Sequence, residues 1–349
     1  MEEGLKIQFN IKQNFSNRSV NNKNAFFIEG GGTKGIFAIG VIRYLFDDNP
    51  YINIKNINIF GGTSVGSFFA TGLSLGFQRD EVFEFAEAIN LDNLIDSKYM
   101  FMLTMYRFMA NGYLYNNNGL SEIVQNILDY RINTINEHLN TGENKLSGKD
   151  LTFGHLKKLI NLYPDIYKHL LINTVDISRK EQIFMTTMDD KWDDIKLFDA
   201  MMASSSVPYI FKPINLYYHP NSDKYGYEQT DDSTINSLID GGISTNNPMD
   251  YFLINYKKCS DYNLWLLKFI NSTKYVKIDG IIIFLEQLIN YLLSKNDIKM
   301  DLIQEEYRIN CINLHLKAGT LEFYTKEQIK DIIYNIYNQC STGKLYFGN

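Results

Sequence analysis

The sequence predicts an α/β fold. Three observations predict it. The chain has 349 residues, 45% hydrophobic and 21% charged, so it can bury a substantial core. The apolar runs Ala25-Phe26-Phe27-Ile28 and Ile57 to Phe60 read as buried parallel strands. Each run ends at glycines and is followed by a helical apolar pattern, giving two strand, glycine loop and helix units. The length suits one large domain or two ordinary ones. No internal repeat and no clean linker appears, so one domain with a helical C-terminal portion is expected.

The elements follow in order. Residues 1–23 are polar and rich in Asn, a loosely held lead-in. After the first strand, Ile36, Ile39, Ile42 and Leu45 mark the buried side of a helix. The second strand leads into a helix over 65–73. Residues 79–120 read as helical with a loop near Asn116. Within them, 99–109 is rich in Met and aromatics, which suits core packing or a lipid-tail pocket or cap. A helix over 120–135 precedes a turn-rich loop at 139–150. Thr152 is placed to cap a helix through Leu156 and Ile160. Residues 170–175 and 182–187 read as strands about a tight turn. A helix at 197–203 follows, then a polar stretch at 219–237 that reads as a solvated insertion. Leu238 and Ile239 lead as a strand into Asp240. Residues 263–269 form one more strand, and 278–338 read as largely helical.

Composition narrows function. The formal net charge of -6 argues against broad nucleic-acid binding. Cys259, Cys311 and Cys340 are odd in number and lack CxxC spacing, so neither a disulfide framework nor a zinc site is expected. The N-terminus shows no apolar signal region. The longest apolar run, from Ile281 toward Leu293, is broken by Glu286, Gln287 and Asn290 and is too short and polar to span a bilayer. A soluble cytoplasmic protein is expected, with peripheral contact at membranes through 99–109 or 281–293.

The chemistry concentrates in three places. Gly62-Thr63-Ser64-Val65-Gly66 puts a serine between glycines at a strand-to-helix turn. That turn pushes a nucleophile into a strained, exposed position. The glycines keep side chains out of a tight approach, and the helix N-terminus favours a developing anion. Gly30-Gly31-Gly32-Thr33-Lys34-Gly35 also follows a strand. It fits a dinucleotide fingerprint through Gly30, Gly32 and Gly35, but the expected acidic residue after the next strand is replaced by the serine turn. As an oxyanion hole its backbone N–H groups would converge on one oxygen. Parallel strands put both loops at the carboxyl edge of one sheet. Asp240-Gly241-Gly242 then places a carboxylate on a glycine turn, as a general base or as an ordinary turn aspartate. Ser204, Ser205 and Ser206 lack flanking glycines and read as structural support.

These segments together resemble the patatin-like phospholipase family. The resemblance rests on the 30–35 loop, the Gly62 to Gly66 turn, the Ala-Ser-Ser-Ser-x-Pro-x-x-Phe-x-Pro stretch from Ala203 to Pro213, and Asp240-Gly241-Gly242. One departure is Glu29, where an aspartate is common. The resemblance implies a three-layer α/β/α sandwich around a mainly parallel sheet over 24–270, with 271–349 as a helical extension. It implies hydrolysis of acyl esters in phospholipids or related lipids by a Ser64–Asp240 dyad, with Gly30, Gly31, Gly32 and Gly35 as the oxyanion loop. Within that loop, Gly31 and Gly32 are the expected donors. No metal or other cofactor is expected.

Three competing readings remain. His315 is the one histidine after Asp240, so Ser64, Asp240 and His315 could form a triad in the chain order of α/β-hydrolases. A catalytically silent lipid-binding or interaction module would keep the fold without turnover. A nucleotide-binding protein would use the 30–35 loop.

Overall fold

The computed structural model describes residues 5–11, 23–47, 49, 52–88, 108–246, 248–251, 262–271, 275–280, 283–284, 287–288, 291–292, 309–316, 324–342 and 346–347. In chain order the longer elements are β1 (Lys6–Asn10), β2 (Lys23–Ile28), α1 (Gly35–Leu45), β3 (Ile59–Gly62), α2 (Val65–Ser74) and α3 (Arg79–Ala88). Next come α4 (Asn118–Asp129), α5 (Ile132–Leu139), α6 (Phe153–Leu162), β4 (His169–Asp176), β5 (Glu181–Thr186) and α7 (Leu197–Ser204). The chain closes with β6 (Ile214–His219), β7 (Lys224–Gly226), β8 (Thr234–Asp240), β9 (Tyr262–Asn271), β10 (Asn310–Leu316), α8 (Lys326–Ser341) and β11 (Tyr346–Phe347).

The strands form one mixed sheet in the order β11-β1-β10-β9-β2-β3-β4-β8-β6-β7, with β5 also paired to β4. Its centre, β10-β9-β2-β3-β4, is parallel throughout. Antiparallel strands close both ends. Both faces of the centre are buried, which is why its strands read as continuous apolar runs. Alternate residues of β2 divide between two clusters. Phe26 and Ile28 join the large cluster that also holds the buried faces of α1, α2 and α4 to α8. Ala25 and Phe27 join a smaller one with Ile59, Leu171, Leu266 and Met249. The fold is therefore α/β with a mostly parallel central sheet and a C-terminal helix.

Local sequence explains several elements. Thr152 caps α6 by accepting the His155 N–H in a reciprocal capping box. Thr325 caps α8 in the same way through Gln328. A Cβ at Gly40 would sit 2.6 Å from Ile336 Cβ, so a bare backbone is needed where α1 meets α8.

Four expectations are corrected. The lead-in contains a strand: Ile7 and Phe9 are buried and pair β1 antiparallel to β10. Two inward residues at period two suffice for a strand, however polar the stretch around them. The C-terminal portion is not helical throughout. Ile312, Leu314 and Leu316 alternate with Asn313 and His315, and this segment becomes β10 in the body of the sheet. The 219–237 stretch is not a plain loop, because β6, β7 and β8 form antiparallel pairs there. The helix expected over 120–135 is two helices, α4 and α5, separated at Tyr130 and Arg131. In the Met-rich 99–109 stretch, residues 99–107 lie outside the described residues, as does Cys259, and Met109 is exposed.

Candidate active site

The site forms where two strands meet end to end. One edge of β4 pairs with β5 from Leu171 to Asp176. The other edge is shared. β3 takes its first half, up to Gly62 opposite Ile172. β8 takes its last part, with Asp240 opposite Thr174. Since β3 is parallel and β8 antiparallel to β4, their carboxyl ends point at each other. The serine turn leaves one end and the aspartate turn leaves the other, with Asn173 between them on β4.

Ser64 has φ 52° and ψ -128°, a backbone region that costs a side chain about 1–3 kcal/mol. The surroundings hold it there. A Cβ at Gly62 would overlap the Gly66 carbonyl, and a Cβ at Gly66 would overlap the Ile28 carbonyl. Glycine at both positions lets the turn close on itself and α2 press onto β2. The Ser64 N–H donates to Ser204 Oγ at 2.9 Å. The Ser64 carbonyl accepts from Ser67 Oγ at 2.6 Å and from the Ser67 N–H at 2.8 Å. Ser64 is thus fixed from both sides at the N-terminus of α2.

Asp240 is 2% exposed. Its Oδ1 accepts the Gly242 N–H at 2.7 Å, and the Ser64 side chain acts on the same carboxylate from close by. Burial pushes its carboxyl up to about 7 from 3.8, while the Gly242 hydrogen bond and the nearby Ser64 hydroxyl pull the other way. Its own N–H donates to the Ser206 carbonyl at 2.9 Å. Ser205 and Ser206 return their hydroxyls to the Met201 and Met202 carbonyls of α7. The serine triplet is support, as its lack of flanking glycines suggested. Ser204 holds the Ser64 backbone and Ser206 holds that of Asp240.

The glycine loop lies against the same serine. A Cβ at Gly30 would meet Ser64 Cβ at 3.0 Å. Its four glycines differ in role. The Gly30 N–H is occupied by the Asn246 carbonyl at 3.1 Å, and the Asn246 amide returns a bond to the Gly30 carbonyl at 3.0 Å. The Gly35 N–H turns back to the Gly32 and Thr33 carbonyls. Gly35 instead makes room for Val65, whose Cγ1 would lie 3.2 Å from an added Cβ. Among the described residues the N–H groups of Gly31, Gly32 and Val65 have no acceptor. Gly32 has φ 58°, which keeps its peptide turned out of the helical run. Glu29 is buried and accepts the Phe269 N–H at 3.1 Å, tying β2 to β9.

No histidine bonds to Ser64 or Asp240. His315 lies on β10 opposite Lys6, with its Nε2 3.2 Å from Gln8 Oε1. His138 meets Tyr167, His155 meets Thr152, His169 meets Thr187 and His219 meets Thr230. Among the described residues no group of three His, Cys, Asp or Glu could hold a metal ion. No described helix is long and apolar enough to cross a membrane.

A sequence model described as patatin-like phospholipase matches residues 26–253. The chain belongs to the patatin-like phospholipase family. That family consists of lipid hydrolases, and the matched span holds both glycine loops, Ser64 and Asp240. A relative in Acanthamoeba polyphaga mimivirus, "Uncharacterized protein L620", is 48% identical over 334 residues, covering 94% of this chain and 90% of that protein. A second mimivirus protein, "Uncharacterized protein R571", is 24% identical over 309 residues, covering 81% and 89%. Among solved structures, VipD from Legionella pneumophila aligns with TM-score 0.49 and 14% identity, over 97% of this patatin-like chain and 70% of that one.

Sequence reasoning missed Asn173 and the specific role of Ser204. Asn173 lies inside an apolar strand and belongs to no motif. The one available signal was a polar residue in a strand otherwise buried along its length.

Proposed function

We propose that this chain is a serine-dependent lipid acyl hydrolase of the phospholipase A type, with Ser64 as nucleophile and Asp240 as its base. The observation that carries this is the meeting of the strained Ser64 turn and the buried Asp240 carboxylate, whose acidity lies near neutrality, at the facing ends of β3 and β8. A serine hydroxyl needs such an acceptor to react at neutral pH. Burial, which would be costly for a carboxylate with no task, makes this one a stronger base.

Ser64 Oγ attacks the ester carbonyl and its proton passes to Asp240. The carbonyl oxygen becomes an oxyanion, which the Gly31 and Gly32 N–H groups, without an acceptor among the described residues, receive at the start of α1. Collapse expels the lipid alcohol, which takes the proton from Asp240 and leaves an acyl-Ser64. Water then attacks the acyl group as Asp240 accepts one of its protons. Ser64 leaves with that proton, and the fatty acid is released.

Turnover on aggregated lipid requires contact with its surface. Phe284, Leu288 and Tyr291 are exposed at i, i+4 and i+7, and Tyr275, Val276 and Ile278, earlier in the chain, are exposed as well. They follow β9, which runs parallel to β2 and so ends at the sheet edge that carries Ser64. Aromatic side chains of this kind suit the boundary between headgroup and acyl chain.

The test is release of fatty acid from lipids of varied head group, with a serine-directed fluorophosphonate as site titrant. Labelling at Ser64 with hydrolysis that His315→Ala retains is the expected outcome. Loss of activity in folded His315→Ala would overturn the dyad. Lipid binding without labelling of Ser64 would make the chain a silent module, and saturable nucleotide binding without esterase activity would assign the 30–35 loop elsewhere.

A further inference from the structure

The two catalytic turns come from strands that share an edge of β4 but do not pair with each other. Only their separate pairing to β4 holds the gap between them in the ladder. Asn173 occupies the position between the last β3 partner, Ile172, and the first β8 partner, Thr174. It is fully buried. Its Oδ1 accepts the hydroxyl of Thr63, the residue before Ser64. Its Nδ2 donates to the Thr245 carbonyl at 3.0 Å, in the turn that follows Asp240. That carbonyl can only accept, so the amide has one workable orientation. The Asn173 amide also lies 2.6 Å from where a Cβ on Gly241 would be, so the aspartate turn is packed directly onto it. Thr63 and Thr245 are themselves buried, at 0% and 2% exposure, and no solvent stands in for a lost bond.

We propose that Asn173 is a positioning residue, a side-chain bridge that sets the separation of Ser64 and Asp240 by holding one turn with each end of its amide. The proposal rests on the dyad reading above and goes beyond it to a residue outside every motif. Other residues at this position would fail in different ways. Leucine or valine offers neither bond. Aspartate keeps the bond from Thr63 but loses the donor to Thr245. It also sets a second carboxylate beside the base.

The test compares Asn173→Ala, Thr63→Val and Thr63→Ser with the parent chain, in kcat per phosphonate-titrated site and in KM. Misplacing reacting groups by about 1 Å costs about 100-fold, so Asn173→Ala and Thr63→Val are expected to lower kcat per titrated site by about 10- to 100-fold with KM little changed. Thr63→Ser, which keeps the hydroxyl, restores the rate. The double variant loses no more than Asn173→Ala alone, because that substitution already removes the bond that Thr63→Val breaks. A purely structural role would reduce the number of titratable sites and leave kcat per site intact; that result overturns the proposal. Thr63→Val decides the matter should Asn173→Ala fail to fold. Crystal structures of the parent and Thr63→Val read the distance from Ser64 Oγ to the Asp240 carboxylate directly. An unchanged distance overturns the bridge even if the parent proves inert toward lipids, whereas inertness with a lengthened distance counts against the hydrolase reading alone.

Discussion

The serine turn and the aspartate turn use the same materials, a strand end and two glycines, yet they carry opposite burdens. At Ser64 the burden is conformational. Its φ of 52° is held by glycines at Gly62 and Gly66 that leave no room for a Cβ. At Asp240 the backbone is relaxed, with φ -49° and ψ 128°, and the burden is desolvation of a carboxylate. In the proposed dyad the nucleophile carries the strain, and burial makes the base more basic. Neither cost stabilises the fold.

This contrast can be broken by experiment. The largest effect is on turnover: Ser64→Ala and Asp240→Asn are each expected to lower kcat by at least about 1,000-fold while folded secondary structure persists by circular dichroism. If one of them retains the parental rate, the two turns do not act as a pair.

Next is the steric side. Gly66→Ala drives a Cβ into the Ile28 carbonyl, a main-chain atom that cannot rotate away, and is expected to cost about 2–3 kcal/mol in a urea titration. A variant as stable as the parent would show that the turn has slack.

The electrostatic side has a sign. Asp240 must be ionised to act as base, so kcat/KM rises with pH through about 7. For stability the direction reverses. The folded-state value is raised above the unfolded 3.8, so the stabilising contribution is fully present below 3.8 and is lost as pH rises through about 7. Asp240→Asn is therefore expected to raise Tm relative to the parent at pH 8 and to show no such gain at pH 4. An equal difference at both values would remove desolvation as the cause.

The smallest effect is relief of strain at the nucleophile. Ser64→Gly keeps the backbone without the side chain that resists it, and a net gain of about 1 kcal/mol is expected, less than the strain because glycine also frees the unfolded chain.

Much of the site was legible along the chain. Glycine turns, a serine and an aspartate announce themselves because their geometry is made within a few neighbouring residues. Gly31 and Gly32 were expected as donors; among the described residues their N–H groups have no acceptor, whereas those of Gly30 and Gly35 are occupied. Less was legible of β1 and β10. Their short alternations, Ile7 with Phe9 and Ile312 with Leu314, sit in polar or ambiguous surroundings and become strands through pairings with each other and with β9 that lie far apart in sequence.

The sequence by itself determined the α/β class, the two strand-to-helix turns and the residue types at their tips, because these follow from local periodicity and from glycine's steric freedom. Tertiary structure alone decided which turns meet. Thr63 and Asn173 are 110 residues apart, and Ser64 and Ser204 are 140 apart. No local pattern encodes such contacts. They exist because β3 and β8 end on one edge of β4, and that placement brings Ser64 to the buried carboxylate of Asp240.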